Sequence, residues 1–460
     1  MKKVCDRITF DITKNMEGKY FYLPFSVPED VEILELVFTA HSKNKKDGKH
    51  TKLDVGLVSP DGKQVGTTGQ KVTHIVLSER YASTGYHPVT PVAGEWKILV
   101  GVAECQSCGL KAEFDLTYTL KQPRWLKGDS HSHTFHSDGA YDPKKLFKNA
   151  KKKGLDYLII TDHNNNVAGQ YYGYSDKDLL HINGYELTSF NGHVNLWGKK
   201  YPLDLPFAFN TAEEYKKLYA QARERGCVVS VNHPTCKKCG WTYWKDDTAD
   251  VYKRDLPDDV AFDCCEVWNG PMRIDNVTAI GWWHEQLLKG RRLPAVGGSD
   301  YHQNYAFVNL LANPTTYVYA RSNTTEDVLN ALKAGQSFIT HSPTSTQMYL
   351  TVDGKIPGET AVWREGLQAE LRIIKPKRGH RLVVYNNDKV VFRTVLPSKK
   401  ETTYRFDLPE KGFVRAEILY NYNFIVKTIY KRVIPILMPK DKGLPIPEFY
   451  WALTNPVWLE

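Results

Sequence analysis

The sequence predicts an α/β core between two β modules, and three observations carry that expectation. Residues 1 to about 124 hold alternating or short apolar runs broken by turn residues, with no convincing helix among them. From Trp125 to about Thr340, strand-like apolar runs alternate with amphipathic helical stretches. From about residue 344 onward the β texture returns. At 460 residues, and with about 150 residues per domain as a guide, two to four domains are expected. The texture places them at 1–124, 125–341 and 342–460.

The first module reads as an antiparallel sandwich. Tyr20-Phe21-Tyr22-Leu23, Ile33 to Phe38 and Leu53 to Val58 are strand-like, and Ser59-Pro60-Asp61-Gly62 is a strong turn. Trp96 to Val100 and Phe114 to Leu120 continue the pattern. In the central segment, Asp142-Pro143 opens a helix that Gly154 closes. Thr211-x-x-Glu214 is a capping box for a second helix, ended by Gly226. A third runs through Ile280, Trp283 and Leu287 to Gly290, and a fourth from near Thr324 to Gly335. Between them lie the buried-strand runs 158–160, 228–231, 264–267 and 294–296. Repeated βα units of this kind build parallel sheets or barrels. The last segment offers Leu371 to Ile374, Leu382 to Tyr385 and Ala416 to Tyr420 as strands of a second β module.

Chemistry concentrates at the strand ends. His131 and His133 flank one residue, so on an extended strand both imidazoles point the same way and can grip one transition metal. Asp138 follows beside Gly139, which permits a tight turn. Similar groups recur as Asp162-His163, Glu186 with His193, His233, and Asp300-x-His302. In a βα barrel, positions just after the strands converge on one face, so ligands over a hundred residues apart can meet. Imidazole and carboxylate without thiolate suit Zn, Mn or Fe. The pattern is that of a multinuclear metallohydrolase.

Other polar residues have plainer readings. His41, His50, His74, His87, His181, His284, His341 and His380 are expected to be surface or core residues. Asp129 and Asp162 more naturally orient imidazoles or backbone than bind metal. His136 falls off the alternation that pairs His131 with His133 and is read as a substrate contact or a support behind a ligand. Asn269 ends a strand and faces the same way, while Glu266 is either a substrate contact or a buried structural carboxylate. Trp241, in Trp241-Thr242-Tyr243-Trp244, is a candidate apolar wall. With Asn164, the candidate substrate contacts are His136, Asn164, Asn269 and Trp241. Cys105-x-x-Cys108 and Cys236-x-x-Cys239 each have the spacing of half a zinc ribbon but lie in different expected domains. Cys264-Cys265 is expected to fill the core.

Bulk properties narrow the setting. Sixty-one basic and 52 acidic residues leave +9, which helps to draw an anionic substrate but does not require nucleic acid. No apolar run approaches the ~18 residues of a membrane span. The start has basic residues without an apolar stretch behind them, so no signal peptide is visible. Eight cysteines without an export signal point to a reducing, cytoplasmic compartment.

Taken together, His131-Ser132-His133-Thr134 with Ser137-Asp138-Gly139, Thr161-Asp162-His163-Asn164, Gly184-Tyr185-Glu186, Asn232-His233-Pro234 and Gly298-Ser299-Asp300-Tyr301-His302 resemble the PHP (polymerase and histidinol phosphatase) superfamily of metal-dependent hydrolases. The motifs span roughly residues 125 to 305 in the expected order. Gly85-Tyr86-His87-Pro88, Glu266-Val267-Trp268-Asn269-Gly270 and Asn455-Pro456-Val457-Trp458 make the chain look like the CehA/McbA-type branch. Those names come from carbamate-pesticide hydrolases, whereas many relatives are labelled phosphoesterases. The resemblance implies a distorted (β/α)7 barrel flanked by the N-terminal β-sandwich and the C-terminal β-rich domain.

By the same resemblance, His131, His133, Glu186 and Asp300 hold one metal. Glu186 bridges to a second, also held by His193 and His233. Asp138, His163 and His302 form a third position. Some relatives have histidine where Asp138 stands, so the third position is the least fixed, and Asp138 suits Mn or Fe at least as well as Zn. Asp138, His163, Glu186, His233 and Asp300 are the expected catalytic residues. Two or three divalent ions would acidify a shared water into a hydroxide that attacks phosphorus or a carbonyl carbon. The first expectation is therefore a phosphoesterase acting on a small phosphate ester or phosphodiester. The alternative keeps the metals but cleaves a carboxylic ester, carbamate or amide. A third reading, from another class, is a metal-bearing binding protein whose β modules recognise a carbohydrate or a partner. A nuclease is a lesser variant. The flanking modules are expected to frame the pocket or to mediate self-association as a homo-oligomer.

Overall fold

A computed structural model describes residues 2–42, 52–69, 72–171, 176–189, 192–198, 212–236, 262–304, 308–422, 428 and 448–460. The chain is mixed α/β and rich in strands. It divides into two compact units: Met1–Arg124 with Gly173–Leu180 and Arg321–Asp327, and Trp125–Tyr172 with His181–Ala320 and Val328–Glu460.

The first unit is built from two four-stranded antiparallel sheets. One has the order Lys3–Ile12, Leu110–Leu120, Val31–Ser42, His74–Leu77; the other Lys19–Val27, Gly94–Glu104, Lys52–Val58, Gln64–Thr68. Period-two patterning explains the faces. Along Leu110–Leu120 the apolar Ala112, Phe114 and Leu116 turn inward, while Lys111, Glu113 and Asp115 lie outside or at the margin. Val55, Leu57, Ile98 and Val100 from the other sheet join Phe114 and Leu116 in one core. The short helix Lys14–Met16 interrupts the β texture without contributing a buried residue.

This unit buries one carboxylate completely. Glu32 lies 2.7 Å from Arg80 Nη1 and 2.7 Å from Arg124 Nη2. Burial alone would raise the Glu32 carboxyl, but the hydrogen bond and charge of Arg124, with the charge of Arg80, outweigh it and hold it low. Removing one member of such a pair strands the others' charges in the interior.

In the second unit a long sheet runs in the order Ala295–Gly298, Cys264–Asn269, Val228–Val231, Gly192–Trp197, Leu180–Ser189, Tyr157–Ile160, Arg124–Asp129, Thr315–Ala320, Ser337–Thr340. It continues through Tyr450–Thr454, Gly412–Leu419, Arg381–Asn386 and Lys389–Val395. Tyr157–Ile160 is parallel to Arg124–Asp129, and Val228–Val231, Cys264–Asn269 and Ala295–Gly298 are mutually parallel. The hairpin Leu180–Ser189/Gly192–Trp197 inserts antiparallel pairings between them. Strands 157–160, 228–231, 264–269 and 295–298 are buried along their whole length, which is why they read as continuous apolar runs.

Helices Pro143–Lys152, Ala212–Glu224, Ile274–Leu288 and Thr325–Lys333 alternate with these strands. Asp142 caps the first by accepting from Lys145 N at 2.7 Å, with Pro143 as the opening residue. Thr211 of the expected capping box lies outside the described residues. The Ile274–Leu288 helix packs Ile280, Trp283 and Leu287 into a core with Val229, Val231, Cys265 and Val267. Cys265 belongs to that core, Cys264 beside it is equally buried, and burial pushes both thiols well up. A three-stranded sheet, Gln347–Val352, Gln368–Ile374 and Glu401–Asp407, completes the unit. No helix among the described residues is long and apolar enough to cross a membrane.

The Glu32 cluster sets a test of stability. Glu32→Ala should cost about 3–5 kcal/mol at neutral pH, read from chemical denaturation. Because the folded carboxyl titrates below its ordinary 4.5, its contribution is present above that pH and is lost as pH falls through the lower, folded value. The variant should therefore lose less stability than the parent on acidification below about 4.5.

Candidate metal centre

The segments that continue past the strand ends are drawn together by backbone hydrogen bonds. Asp300 N donates to His131 O at 2.9 Å and His133 N to Tyr301 O at 3.0 Å, joining the extension of Arg124–Asp129 to that of Ala295–Gly298. Thr161 N donates to Ser132 O at 2.8 Å on the other side. Asn164 N donates to Glu186 O at 3.0 Å. Strand alternation sends Ser132 away from its neighbours, to donate to Ile159 O at 2.8 Å, and leaves His131 and His133 side by side.

All nine sequence-selected ligand candidates fall into three clusters of potential donors, two of which share His133. These are His131, His133 and Asp300; Glu186, His193 and His233; and His133, Asp138, His163 and His302. The Nε2 atoms of His131 and His133 are 3.1 Å apart. Asp300 Oδ1 lies 3.3 Å from the first and 3.0 Å from the second. Glu186 Oε2 is 3.3 Å and 3.4 Å from the same two nitrogens. Glu186 Oε1 turns the other way, 3.1 Å from His193 Nδ1 and 3.5 Å from His233 Nε2. Asp138 Oδ1 lies 3.0 Å from His302 Nε2 and 3.5 Å from His163 Nε2.

These spacings fit cations. Ligands about 2.1 Å from one metal sit about 3.0–3.4 Å from each other, close to the 3.0–3.5 Å seen here. The electrostatics agree. Burial alone would raise the Glu186 and Asp300 carboxyls, yet the surrounding imidazoles, His131 foremost, hold both well below the usual range. Burial would lower His131, but the Glu266, Glu186 and Asp300 carboxylates hold it well above.

A supporting layer orders the donors. Glu266 is buried, with Oε1 2.9 Å from His131 Nδ1 and Oε2 accepting from His233 N and Asn269 Nδ2. It fixes the imidazole so that Nε2 faces the cluster. Asp162 accepts from Thr134 N, Thr134 Oγ1 and Ser137 Oγ at 2.7–2.8 Å. Asp129 accepts from Ser299 N, Ser299 Oγ, Ala312 N and His131 N. Both carboxylates hold backbone and hydroxyls. His233 and Asp300 have left-handed backbone at φ 27° and 48°, a conformation that aims their side chains and is costly for residues other than glycine.

Sequence reasoning did not single out three neighbours. Asn232 Nδ2 donates to Glu186 Oε1 at 2.8 Å. Thr188 Oγ1 is 2.5 Å from His163 Nδ1. Gly298 leaves room that a Cβ would take, 2.4 Å from His131 Cβ and 2.5 Å from Glu266 Oε1. The glycine beside a buried strand end was visible; what it had to accommodate was not.

The candidate substrate contacts are distributed unevenly. Asn269 Nδ2 is 3.2 Å from Asp300 Oδ2, and its Oδ1 accepts from Arg273 Nη2 at 3.4 Å. Asn164 commits both amide atoms to the Thr188 backbone. His136 is half-buried, lies with its ring tilted by 47° against Phe135, and belongs to none of the three clusters. Trp241 and Cys239 lie outside the described residues. Cys105 and Cys108 donate to Gln106 O at 3.4 Å and Gln106 Oε1 at 3.6 Å, and no cluster contains a cysteine.

Residues 129–233 match the PHP domain family. The uncharacterized protein MJ1587 of Methanocaldococcus jannaschii is 28% identical over 131 residues, 25% of this chain and 73% of that protein. A two-domain protein from Bacteroides vulgatus, described as containing a predicted PHP-like metal-dependent phosphoesterase, aligns over 64% of this chain and 91% of its own at 21% identity and a TM-score of 0.39. An amidohydrolase from Chromobacterium violaceum, with bound sulfate and no metal, aligns over 38% of this chain and 87% of its own at 14% identity and a TM-score of 0.28. The chain carries a PHP domain in residues 129–233, and that stretch supplies every clustered donor except Asp300 and His302.

Proposed function

We propose that this chain is a divalent-metal hydrolase acting on a small phosphate ester or phosphodiester, with its chemistry at the rim of a (β/α)7-type barrel. The observation that carries the reading is Glu186. One buried carboxylate turns each oxygen toward a different set of imidazoles, the arrangement a bridge between two cations needs. His131, His133 and Asp300 would complete one position, His193 and His233 the second, and Asp138, His163 and His302 a third. Bound there, Mn, Zn or Fe would acidify water at neutral pH and polarise the scissile bond.

The protein's own residues do the rest. Glu266 holds the His131 proton on Nδ1 and keeps Nε2 free to ligate. Asn269 fixes the Asp300 carboxylate. Asp138 is the most exposed carboxylate of the group, with a side chain 58% accessible, and borders the side open to substrate. Arg273, exposed and bonded to Asn269, supplies positive charge beside Asp300 and favours an anionic substrate.

Four outcomes test this. Purified protein should contain divalent metal by elemental analysis, lose hydrolysis of an aryl phosphate after chelation and regain it with Mn. Glu186→Gln should lower turnover by about 10³-fold or more while its circular dichroism stays native. Undiminished metal content and turnover in that variant would sink the assignment. Gly298→Ala should displace His131 and reduce bound metal, whereas Gly281→Ala, with open space around it, should not. Finally, Arg273→Gln should raise KM for aryl phosphate by about tenfold and leave KM for a naphthyl carbamate nearly unchanged. Carbamate turnover exceeding phosphate turnover in the parent protein would instead point to a carbonyl substrate.

A further inference from the structure

A second concave site in the C-terminal part of the chain uses none of the metal-cluster residues. It is a cleft of about 750 Å³ lined by Lys375, Lys377, Lys399, Lys400, Ser345 and Trp451, among others. Two chain segments deliver the lysines, one just after the strand Gln368–Ile374 and one just before Glu401–Asp407. Those strands pair Ile374 with Glu401, so their loops emerge at the same end of the sheet. Lys375 N donates to Lys400 O at 2.8 Å, and Thr346 Oγ1 donates to Lys375 O at 2.9 Å. This bracing holds Lys375 in left-handed backbone at φ 53°, costly for a lysine.

The cleft's charge is uncompensated. None of the four lysines has a salt bridge among the described residues, and the adjacent carboxylate, Glu401, is 3.4 Å from Arg372. Trp451 forms part of the wall, with His341 stacked on it at 4.3 Å and Lys377 Nζ 5.9 Å from its ring. Burial, reinforced by the charge of Lys377, lowers both His341 and His380. Ser345 is buried, lines the same cleft, and its Oγ has no hydrogen-bond partner among the described residues. Clustered ammonium groups repel one another and gain most from a compact ligand of high negative charge. Lysines are point-charge donors suited to phosphoryl oxygens, and a hydroxyl adds a neutral donor.

We propose that this cleft binds a multiply charged phosphoryl group, at a site separate in its residues from the metal cluster. It makes no use of the hydrolase reading and stands or falls without it. The test is calorimetric titration of pyrophosphate into the full chain, freed of metal by chelation and carrying His131→Ala/His133→Ala so that the metal cluster cannot report. Saturable binding is expected at low salt, weakening as salt rises. Lys377→Gln/Lys400→Gln should weaken it by about tenfold or more, while Lys144→Gln/Lys145→Gln, outside the cleft lining, should not. Absence of saturable binding, or equal loss in both double variants, would overturn the proposal. Sulfate bound as tightly as pyrophosphate would overturn the phosphoryl assignment. In the chain with an intact metal cluster, Lys377→Gln/Lys400→Gln should leave aryl phosphate turnover unchanged.

Discussion

A carboxylate taken out of water must find positive charge, and Glu186 finds it on both of its oxygens. It is buried within the strand Leu180–Ser189, and five imidazoles lie within 3.5 Å of it. An isolated charge in such a place would cost far more than any single packing contact returns. The antiparallel hairpin that carries Glu186 and His193 makes the arrangement feasible. It sets the two residues on neighbouring strands, with Thr188 opposite His193. Everything around them, from the bonds linking His131 to Asp300 to the Glu266 bond behind His131, acts to keep those rings facing that carboxylate.

The supporting carboxylates divide into two kinds. Glu266 touches a candidate ligand ring directly and so determines which nitrogen carries the hydrogen. Asp129 and Asp162 bind backbone amides and hydroxyls, locking the segments on which the ligands ride. Burial pushes Asp129 up to about 6 despite those bonds, so its hold on Ser299 and Ala312 is strongest when it is ionised. Local order at the cluster thus comes from charge as much as from packing.

Much of this was legible in the residues themselves. Continuous apolar runs such as Tyr157–Ile160 and Val228–Val231 announced buried parallel strands, and polar residues just beyond them announced the donor clusters. Alternation paired His131 with His133, and the same logic set Ser132 on the opposite side. The strand Leu180–Ser189 was less legible, because Glu186 interrupts its apolar pattern for a chemical reason, not a packing one. The roles of Asn232, Thr188 and Gly298 were not legible, since they are set by partners 25 to more than 160 positions away in the chain, which periodicity cannot reveal. The role of Glu266 stayed open for a related reason: a buried carboxylate is structural or functional according to what faces it.

The left-handed backbone at His233 and Asp300 has a thermodynamic corollary. Each such residue raises the energy of the folded chain by roughly 1–3 kcal/mol, so the resting protein is less robust than its packing would allow. Relaxing either position toward ordinary geometry would yield a hardier polypeptide whose imidazole or carboxylate no longer meets its companions. Selection for thermal resilience alone would therefore erode the very convergence of side chains that gathers these donors.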